Sequence, residues 1–337
     1  MKIIVIGPSY QNQPQSVVNA LNRMGYDAVL YSMIEFYSGC SYWQRKRYKW
    51  GNKRLEIEYN IQQAEKLQEF CKVEKPDMIL VLNGLMISTT ALEYIHDYRK
   101  ILWLWDSVRR SPQLESLLPY FDKIYVFEEA DIEYLKSKYD ITTQYLPLGY
   151  DDEIFYPMDK ERDIDVSFIG IPTKERLEIM DAVAKFAQDK NFKMVVGGPW
   201  YSTKHFWKKW QFAHKHPALI RYIENRRFSP QEAADVYRRS KICLNINVKE
   251  HKSLNPRTFE ILATKSFQIM NAGQNTKGLC NIDKCIVSYI TVGQLLKQIA
   301  TSLDDSFYRD KRAMMGYNLI HEVASIPKLL KYIMDKV

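Results

Sequence analysis

The residue types with the clearest chemical potential lie between an apolar run and the segment that follows it. Ile242 to Val248 leads into a polar loop and then into Asn255-Pro256-Arg257-Thr258-Phe259-Glu260. Asparagine is a good N-cap and proline is favoured at the first helical position, so a helix is expected to begin there. Arg257 then falls in the first turn, where the helix dipole disfavours a cation by roughly 0.3–1 kcal/mol. An anionic ligand would offset that cost.

A diphosphate suits this helix start. Both the free backbone N–H groups and the guanidinium of Arg257, which can donate two parallel hydrogen bonds, would bind it. Glu260, one turn later, could accept hydrogen bonds from ribose hydroxyls, as carboxylates do in nucleotide sites. The alternative, that both are solvated residues of the helix surface, is left open by spacing alone.

Two further turns carry polar groups at the ends of expected strands. Gly170 follows one strand and permits close backbone approach, and Lys174 and Arg176 could meet phosphate at the next helix start. The alternative is an ordinary strand-to-helix turn. In the first half, Gly7 opens the equivalent turn, Gly7-Pro8-Ser9-Tyr10, which is expected to line the side of a second substrate.

Asp106 ends the strand-like Trp103-Leu104-Trp105 and is the leading candidate for a general base that takes a proton from a hydroxyl. The competing interpretation is a carboxylate that caps the following turn through Ser107. Tyr10, Asn83 and Asp106 could share one wall, although no pairing follows from the sequence.

The elements that position these residues alternate between short apolar runs and helical stretches, which is typical of parallel sheets covered by helices. In the first half the expected strands are 2–6, 27–31, 78–82, 101–105, 123–127 and 143–146, with helices over 14–24 and 59–73 and an excursion from the sheet over 38–58. In the second half the expected strands are 165–169, 192–196, 242–248, 267–270 and 285–289, with helices over 177–186 and 327–336.

Turn formers and charges over 151–157 indicate a linker. The predicted fold is α/β: two Rossmann-like doubly wound domains whose strand ends face a cleft. The first is expected over 1–155 and the second over 156–324, with a C-terminal helix over 325–337 that could cross back to the first. Periodicity alone does not distinguish this from a periplasmic-type binding protein, although no secretory signal is recognisable.

Composition is that of a globular protein. The 337 residues are 46% hydrophobic and 26% charged, with a net charge of +8. This mild excess suits an anionic ligand or an anionic membrane surface at least as well as a nucleic acid. The five cysteines have no C-x-x-C spacing, which favours a reducing cytoplasm. No apolar stretch approaches the roughly 20 residues of a membrane span.

Several motifs are missing or misplaced. There is no G-x-G-x-x-G, G-x-S-x-G or P-loop. Asp163-Ile164-Asp165 spells D-x-D but precedes its strand, and the six histidines lack metal-ligand spacing. No metal site is therefore expected. Two basic aromatic stretches, 42–50 and 204–210, could stack bases or lie at a membrane interface, or could be solvated faces with partly buried aromatics.

Asn255 to Ala263, followed by Phe267-Gln268-Ile269-Met270, resembles the C-terminal donor-site signature of GT-B glycosyltransferases, especially the CgeB-like group. The segments 122–127 and 145–150 resemble the end of that group's first domain. In this resemblance Glu260 corresponds to the second glutamate of the E-x7-E pattern, which binds the donor ribose. Lys252 stands in place of the first glutamate, and Lys265 and Ser266 lie where many relatives have glycine.

The resemblance implies a cytoplasmic, hexosyltransferase-like enzyme that moves a sugar from a nucleotide diphosphate donor without a metal. A UDP-sugar is the expected donor, and no cofactor is expected. The donor side is assigned to Gly170, Arg176, Lys252, Asn255, Arg257 and Glu260, and the acceptor side to Gly7, Tyr10 and Asn83, with Asp106 as catalytic base. The acceptor is expected to be a glycan, a lipid-linked molecule or a protein, with peripheral contact at the inner membrane face as an option and no nucleic acid partner.

Two other functions stay open at this point. One is a non-catalytic nucleotide-sugar or glycan-binding protein of the same fold, which the missing first glutamate would allow. The other is a nucleic-acid-binding protein that uses the basic aromatic stretches.

Overall fold

The computed structural model describes residues 1–8, 13–32, 41, 43, 46, 53–247, 252–274, 279 and 281–336. Contacts divide the chain into two compact units, Met1–Leu148 with Ile326–Val337, and Gly149–Ser325. We call them unit 1 and unit 2. Each contains a six-stranded sheet in which every strand pair is parallel. The prediction of two doubly wound α/β domains is confirmed.

Unit 1 alternates strands with helices. Its strands are β1 (Lys2–Gly7), β2 (Asp27–Ser32), β3 (Met78–Leu82), β4 (Lys100–Leu104), β5 (Lys123–Val126) and β6 (Gln144–Tyr145), in the order β2-β1-β3-β4-β5-β6. Its helices are α1 (Gln13–Arg23), α2 (Lys53–Glu74), α3 (Thr89–Tyr94), α4 (Glu129–Tyr139) and α11 (Ile326–Met334), with a 3-10 helix over Pro112–Tyr120.

The sheet of unit 1 is covered on both faces. All five residues of β3 and all five of β4 are buried, as expected for central strands of a parallel sheet. Their side chains contribute to two apolar clusters. The apolar residues of α11, including Leu330, belong to the same cluster as those of α1. The end of the chain thereby completes the core of unit 1.

Unit 2 follows the same plan. Its strands are β7 (Ile164–Ile169), β8 (Met194–Gly197), β9 (Ile223–Glu224), β10 (Ser240–Asn245), β11 (Gln268–Asn271) and β12 (Val287–Tyr289), in the order β12-β11-β10-β7-β8-β9. Its helices are α5 (Lys174–Lys190), α6 (Phe206–Lys215), α7 (Pro230–Arg239), α8 (Pro256–Ala263), α9 (Val292–Asp304) and α10 (Ser306–Val323), with 3-10 helices over Leu219–Tyr222 and Ile282–Lys284.

Both strand orders contain a topological switch point. In unit 2 the chain winds outward from β7 to β9 on one side and from β10 to β12 on the other, so the switch lies between β7 and β10. In unit 1 it lies between β1 and β3. Ligands of open α/β sheets bind outside the carboxyl ends of strands at such a point. The chemistry-bearing residues should therefore be sought beside those four strand ends.

Some predicted strand limits are wrong for a physical reason. The strand expected over 242–248 ends at Asn245. Beyond it, the Asn247 N–H donates to the side-chain Oδ1 of Asn271 at 2.7 Å instead of to a backbone carbonyl of the neighbouring strand. Cys285, expected to start the last strand, ends a 3-10 turn, and β12 begins at Val287. In the described part of the chain, no helix has the length and apolar content needed to span a membrane.

Candidate functional site

Helix α8 begins beside the end of β10, as the sequence predicts. Asn255 is its N-cap, and the Thr258 N–H donates to the Asn255 side chain at 3.0 Å. Pro256 occupies the first helical position. The expected role of free backbone N–H groups is thereby reduced, because proline has none and that of Thr258 is already bound. The guanidinium of Arg257 is left as the main anion-binding group at this helix start.

A buried amide network fixes α8 to β10. Asn245 is fully buried, and its Nδ2 donates to Asn255 Oδ1 at 3.1 Å and to Thr258 Oγ1 at 3.0 Å. Asn255 Nδ2 returns a hydrogen bond to Asn245 Oδ1 at 2.9 Å, and it also contacts Asn247 Oδ1. Buried polar groups need such partners. Asn255, assigned to the donor side by the sequence, is therefore engaged in positioning the helix.

The network also orients Arg257. Its Nη1 donates to Asn245 Oδ1 at 3.2 Å, and its guanidinium carbon lies 5.5 Å from the centre of the buried Phe168 ring. Gly170 lies next to both groups, since a Cβ there would be 3.2 Å from Arg257 Nη2 and 2.9 Å from Phe168 Cζ. The guanidinium thus lies beside the end of β7 as well as that of β10.

Arg176 reaches the same place from α5. Its Nε and Nη2 donate to the Ile246 carbonyl at 3.0 and 2.7 Å, and its Nη1 donates to the Ile171 carbonyl at 3.1 Å. The side chain is buried, and it lies 5.6 Å from the Phe168 ring centre. Three of the five guanidinium N–H groups therefore donate to backbone carbonyls. Arg176 thereby connects the segments that follow β7 and β10, and it adds a positive charge at this end of the sheet.

The two arginines lie close enough to affect each other. Burial, and then the charge of Arg257, lower the pKa of Arg176 to about 10. Within the described part of the chain, neither guanidinium forms an ion pair with a carboxylate. Buried or half-buried cations are normally paired. This end of the sheet is consequently a place where an anion would be stabilised.

Glu260 lies one turn along α8. The residue is partly exposed, yet its carboxyl group is deeply enclosed, and burial raises its pKa to about 7, against the lowering effect of Arg257. No described residue donates a hydrogen bond to this carboxyl group. The charges of Glu260 and Arg257 both affect the buried Tyr237 on α7. Burial and the charge of Glu260 raise the pKa of its phenol, and the charge of Arg257 lowers it. Among the described residues, the carboxyl oxygens of Glu260 therefore keep their capacity to accept hydrogen bonds.

Unit 2 also contains a groove with a volume of about 420 Å³, and its lining includes Glu175, which precedes Arg176 in the chain. This volume falls in the range of small-molecule sites. Lys252 is exposed and lines it. So does Tyr289, whose buried hydroxyl has no hydrogen-bond partner among the described residues. Burial and the charge of Glu175 raise the pKa of this hydroxyl. The remaining lining is mixed, with amides, apolar groups and two carboxylates: Glu175, Glu178, Ile179, Asn271, Ala272, Gly273, Gln274, Ile290 and Val292.

In unit 1, two of the predicted acceptor residues lie at the other switch point. Gly7 ends β1 and Asn83 directly follows β3. Asn83 has a left-handed backbone with φ of 67° and is 9% exposed. Its side-chain Oδ1 is buried and has no hydrogen-bond partner in the part of the chain that the structure describes. Tyr10 lies outside the described residues.

Asp106 follows β4, and its carboxylate caps the turn that comes next. Its Oδ1 accepts from the Ser107 N–H at 2.9 Å, and its Oδ2 accepts from the Ser111 hydroxyl at 3.2 Å. Arg110 lies 3.6 Å from Oδ1. The structure thus shows the turn-capping contact that the sequence left as the alternative. A role as general base stays a prediction.

Sequence reasoning missed the residues that place these groups. Phe168, Asn245 and Tyr237 are buried and come from three different elements. An asparagine inside an otherwise apolar run was the available signal for Asn245, because a buried amide must find partners. No local signal marks Phe168 or Tyr237, since their roles arise from tertiary packing.

Comparisons with known proteins agree with this architecture. Residues 176–327 match the family model described as glycosyl transferase-like. Sucrose-phosphate synthase from Thermosynechococcus elongatus is similar in structure with a TM-score of 0.68 at 10% identity, covering 100% of this chain and 98% of that one. An α,α-trehalose-phosphate synthase (UDP-forming) from Burkholderia vietnamiensis has a TM-score of 0.65 at 13% identity, covering 99% and 96%.

A third similar structure is a putative UDP-N-acetylglucosamine 2-epimerase from Listeria monocytogenes, with a TM-score of 0.63 at 13% identity, covering 99% of this chain and 94% of that one. No curated protein matches the chain. The two Rossmann-like domains therefore match GT-B structures. Because both transferases and an epimerase share the fold, the activity has to be argued from the site.

Proposed function

We propose that the protein is a glycosyltransferase that moves a sugar from a nucleotide diphosphate donor to an acceptor hydroxyl, and that unit 2 binds the donor. The observation that carries this proposal is the pair of guanidinium groups, Arg257 and Arg176, at the switch point of unit 2 without a carboxylate partner among the described residues. A diphosphate supplies the missing negative charge. The glycosyl transferase-like match over 176–327 supports the same assignment.

The chemistry of transfer assigns a role to each group. The bond between the anomeric carbon and the β-phosphate oxygen breaks, and its electron pair remains on the diphosphate. Arg257 stabilises that developing charge, a task for which a fixed cation is effective in a partly dry site. The acceptor oxygen bonds to the anomeric carbon and loses its proton to a base. Asp106 is our candidate for this base.

The nucleoside is proposed to lie against Glu260 and the groove. The carboxylate of Glu260 would accept hydrogen bonds from the ribose hydroxyls, since no described residue donates a hydrogen bond to it. The hydroxyl of Tyr289 in the groove, which has no hydrogen-bond partner among the described residues, could bind a polar edge of the base. Uracil is the base we propose. A hexose as the transferred sugar and membership of the CgeB-like group are also proposed on the sequence resemblance alone.

The proposed function is tested by measuring turnover of nucleotide-sugar donors. Release of UDP from a panel of UDP-sugars, with and without glycan acceptors, should be measured for the full chain and for Arg257→Ala and Glu260→Ala. Both variants are expected to lose most activity, while Arg227→Ala, which removes an exposed arginine of the same unit, should retain it. Full activity in both site variants would contradict the proposal. Binding of UDP without turnover of any donor would instead support a non-catalytic nucleotide-sugar-binding protein.

A further inference from the structure

Helix α6 differs from every other helix of unit 2 in that none of its ten residues is buried. It lies in the connection between β8 and the edge strand β9. Its large apolar side chains face solvent: Phe206 is 87% exposed, Trp210 66% and Trp207 43%. Phe212, which is only partly exposed, attaches the helix to the unit through its ring contact with Tyr201 at 5.4 Å.

The exposed rings form a stripe. At 100° per residue, Phe206, Trp207, Trp210 and His214 fall within an arc of about 100°. Two stacked pairs hold the rings in place, His205 on Trp207 at 4.3 Å and Trp210 on His214 at 5.7 Å. We call this set the aromatic stripe; its five members are His205, Phe206, Trp207, Trp210 and His214. A preformed apolar surface of this kind is costly in water and marks a contact surface.

The charged side chains of the segment that carries the stripe have one sign. Residues 202–216 contain no aspartate or glutamate. Four lysines lie in the same segment, and all are exposed: Lys204, Lys208, Lys209 and Lys215. Long lysine side chains beside aromatic rings can extend toward phosphate groups while the rings enter the region between headgroups and acyl chains. The partner with matching chemistry is therefore an anionic lipid surface.

We propose that α6 docks this protein on anionic lipid bilayers, with the aromatic stripe inserted at the headgroup level and the lysines bound to lipid phosphates. The inference is independent of the proposed transfer reaction, because no residue of α6 lines the groove or contacts Arg257 or Glu260. It concerns where the protein works. An exposed interfacial helix would keep the protein at the bilayer surface.

The experiment is co-sedimentation of the full chain with vesicles. Binding is expected with phosphatidylcholine vesicles that contain about one third phosphatidylglycerol and is expected to be weak with phosphatidylcholine alone. Lys208→Glu with Lys209→Glu should lower the partition coefficient about tenfold or more. Lys297→Glu with Lys311→Glu makes the same charge change at exposed lysines of α9 and α10, and should leave it within about twofold.

A second pair of variants tests insertion. Trp207→Ser with Trp210→Ser should weaken vesicle binding about tenfold, whereas Phe307→Ser, which removes another highly exposed ring of unit 2, should not. Brominated lipid should quench the tryptophan fluorescence of the unaltered chain more than that of Trp207→Phe with Trp210→Phe. Unchanged thermal unfolding of every variant confirms that the fold is kept, as expected where no residue is buried.

Three results would overturn the proposal: equal binding to neutral and anionic vesicles, equal losses in the test and control lysine variants, or a dimer in solution that the Trp207→Ser and Trp210→Ser changes dissociate. The last would assign the stripe to a second copy of the chain.

Discussion

At the scale of single residues, the site is defined by charged groups that form no direct ion pair among the described residues. Arg257 is oriented by Asn245 and by the Phe168 ring, but no described carboxylate pairs with it. Glu260 is enclosed without a hydrogen-bond donor among the described residues. Both arrangements cost stability, and under the proposed function the donor would supply the missing partners. The sequence predicted these two residues from helix-start chemistry, but not the burial of Glu260, which depends on how α8 packs.

The raised pKa of Glu260 predicts a pH dependence of stability. The carboxyl group titrates at about 7 in the folded protein, against an ordinary value of 4.5. Between these values the folded state binds more protons than the unfolded state, so the free energy of unfolding falls as the pH rises. The loss should be about 2 kcal/mol, less than the full shift implies because the residue is partly exposed.

Glu260→Gln removes the titrating group and should flatten this dependence. The measurement is urea unfolding of both proteins between about pH 5 and about pH 8. The variant should be nearly as stable as the parent at the acidic end and more stable at the alkaline end. A constant difference across the range would show that the carboxyl group titrates normally.

At the scale of elements, loops from neighbouring strands approach each other so closely that side chains are excluded. Gly198, after β8, has a φ of +137°, and a Cβ there would be 2.1 Å from the Gly170 carbonyl oxygen. Gly170 in turn leaves room for the Phe168 ring and for Arg257. A strand ending in glycine was visible in the sequence. Its contact with α8, almost ninety positions later, was not, because that neighbour is set by strand order.

Gly170→Ala tests this packing. The added methyl group would displace the Phe168 ring or the Arg257 guanidinium, at a cost of roughly 1–3 kcal/mol in stability. The affinity for UDP should fall about tenfold, because the cation loses its position. Gly293→Ala in α9 is the matched control, since the nearest atom to its Cβ, Thr291 Oγ1, is 4.0 Å away. Calorimetric titration of both variants makes the comparison, and an unaltered affinity in Gly170→Ala would refute the packing role.

At the scale of the whole molecule, each unit forms its own core, and the chain end belongs to unit 1. The parallel α/β plan could be predicted from alternating apolar runs and helical stretches. The expected strand over 143–146 contains β6, whereas the two-residue strand β9 was not predicted and marks a limit of that method, because two residues carry no periodicity. Helix α6 marks another limit. Its basic aromatic composition was visible, but only tertiary structure shows that its rings are exposed.

The separate cores predict separate effects on stability. Leu330 on α11 is fully buried in the cluster that contains α1, so Leu330→Ala should destabilise unit 1 by about 2–5 kcal/mol. Stabilisation of unit 2 by UDP should persist, because the donor residues lie elsewhere. Thermal unfolding with and without UDP checks both points, with the exposed neighbour Lys331→Ala as control. Loss of UDP stabilisation in Leu330→Ala would show that unit 2 does not bind the donor independently.

The central claim is that Arg257 binds the diphosphate of a nucleotide donor, and calorimetric titration of UDP into the full chain and into Arg257→Ala tests it most directly. ADP and GDP titrated in parallel identify the base. The account predicts measurable binding by the parent chain and an affinity lower by about ten- to a hundredfold in Arg257→Ala, as expected when a charged hydrogen bond to phosphate is removed. Arg227→Ala should bind as the parent does. Equal affinities in the parent and Arg257→Ala, or no binding of any nucleoside diphosphate to the parent, would contradict it.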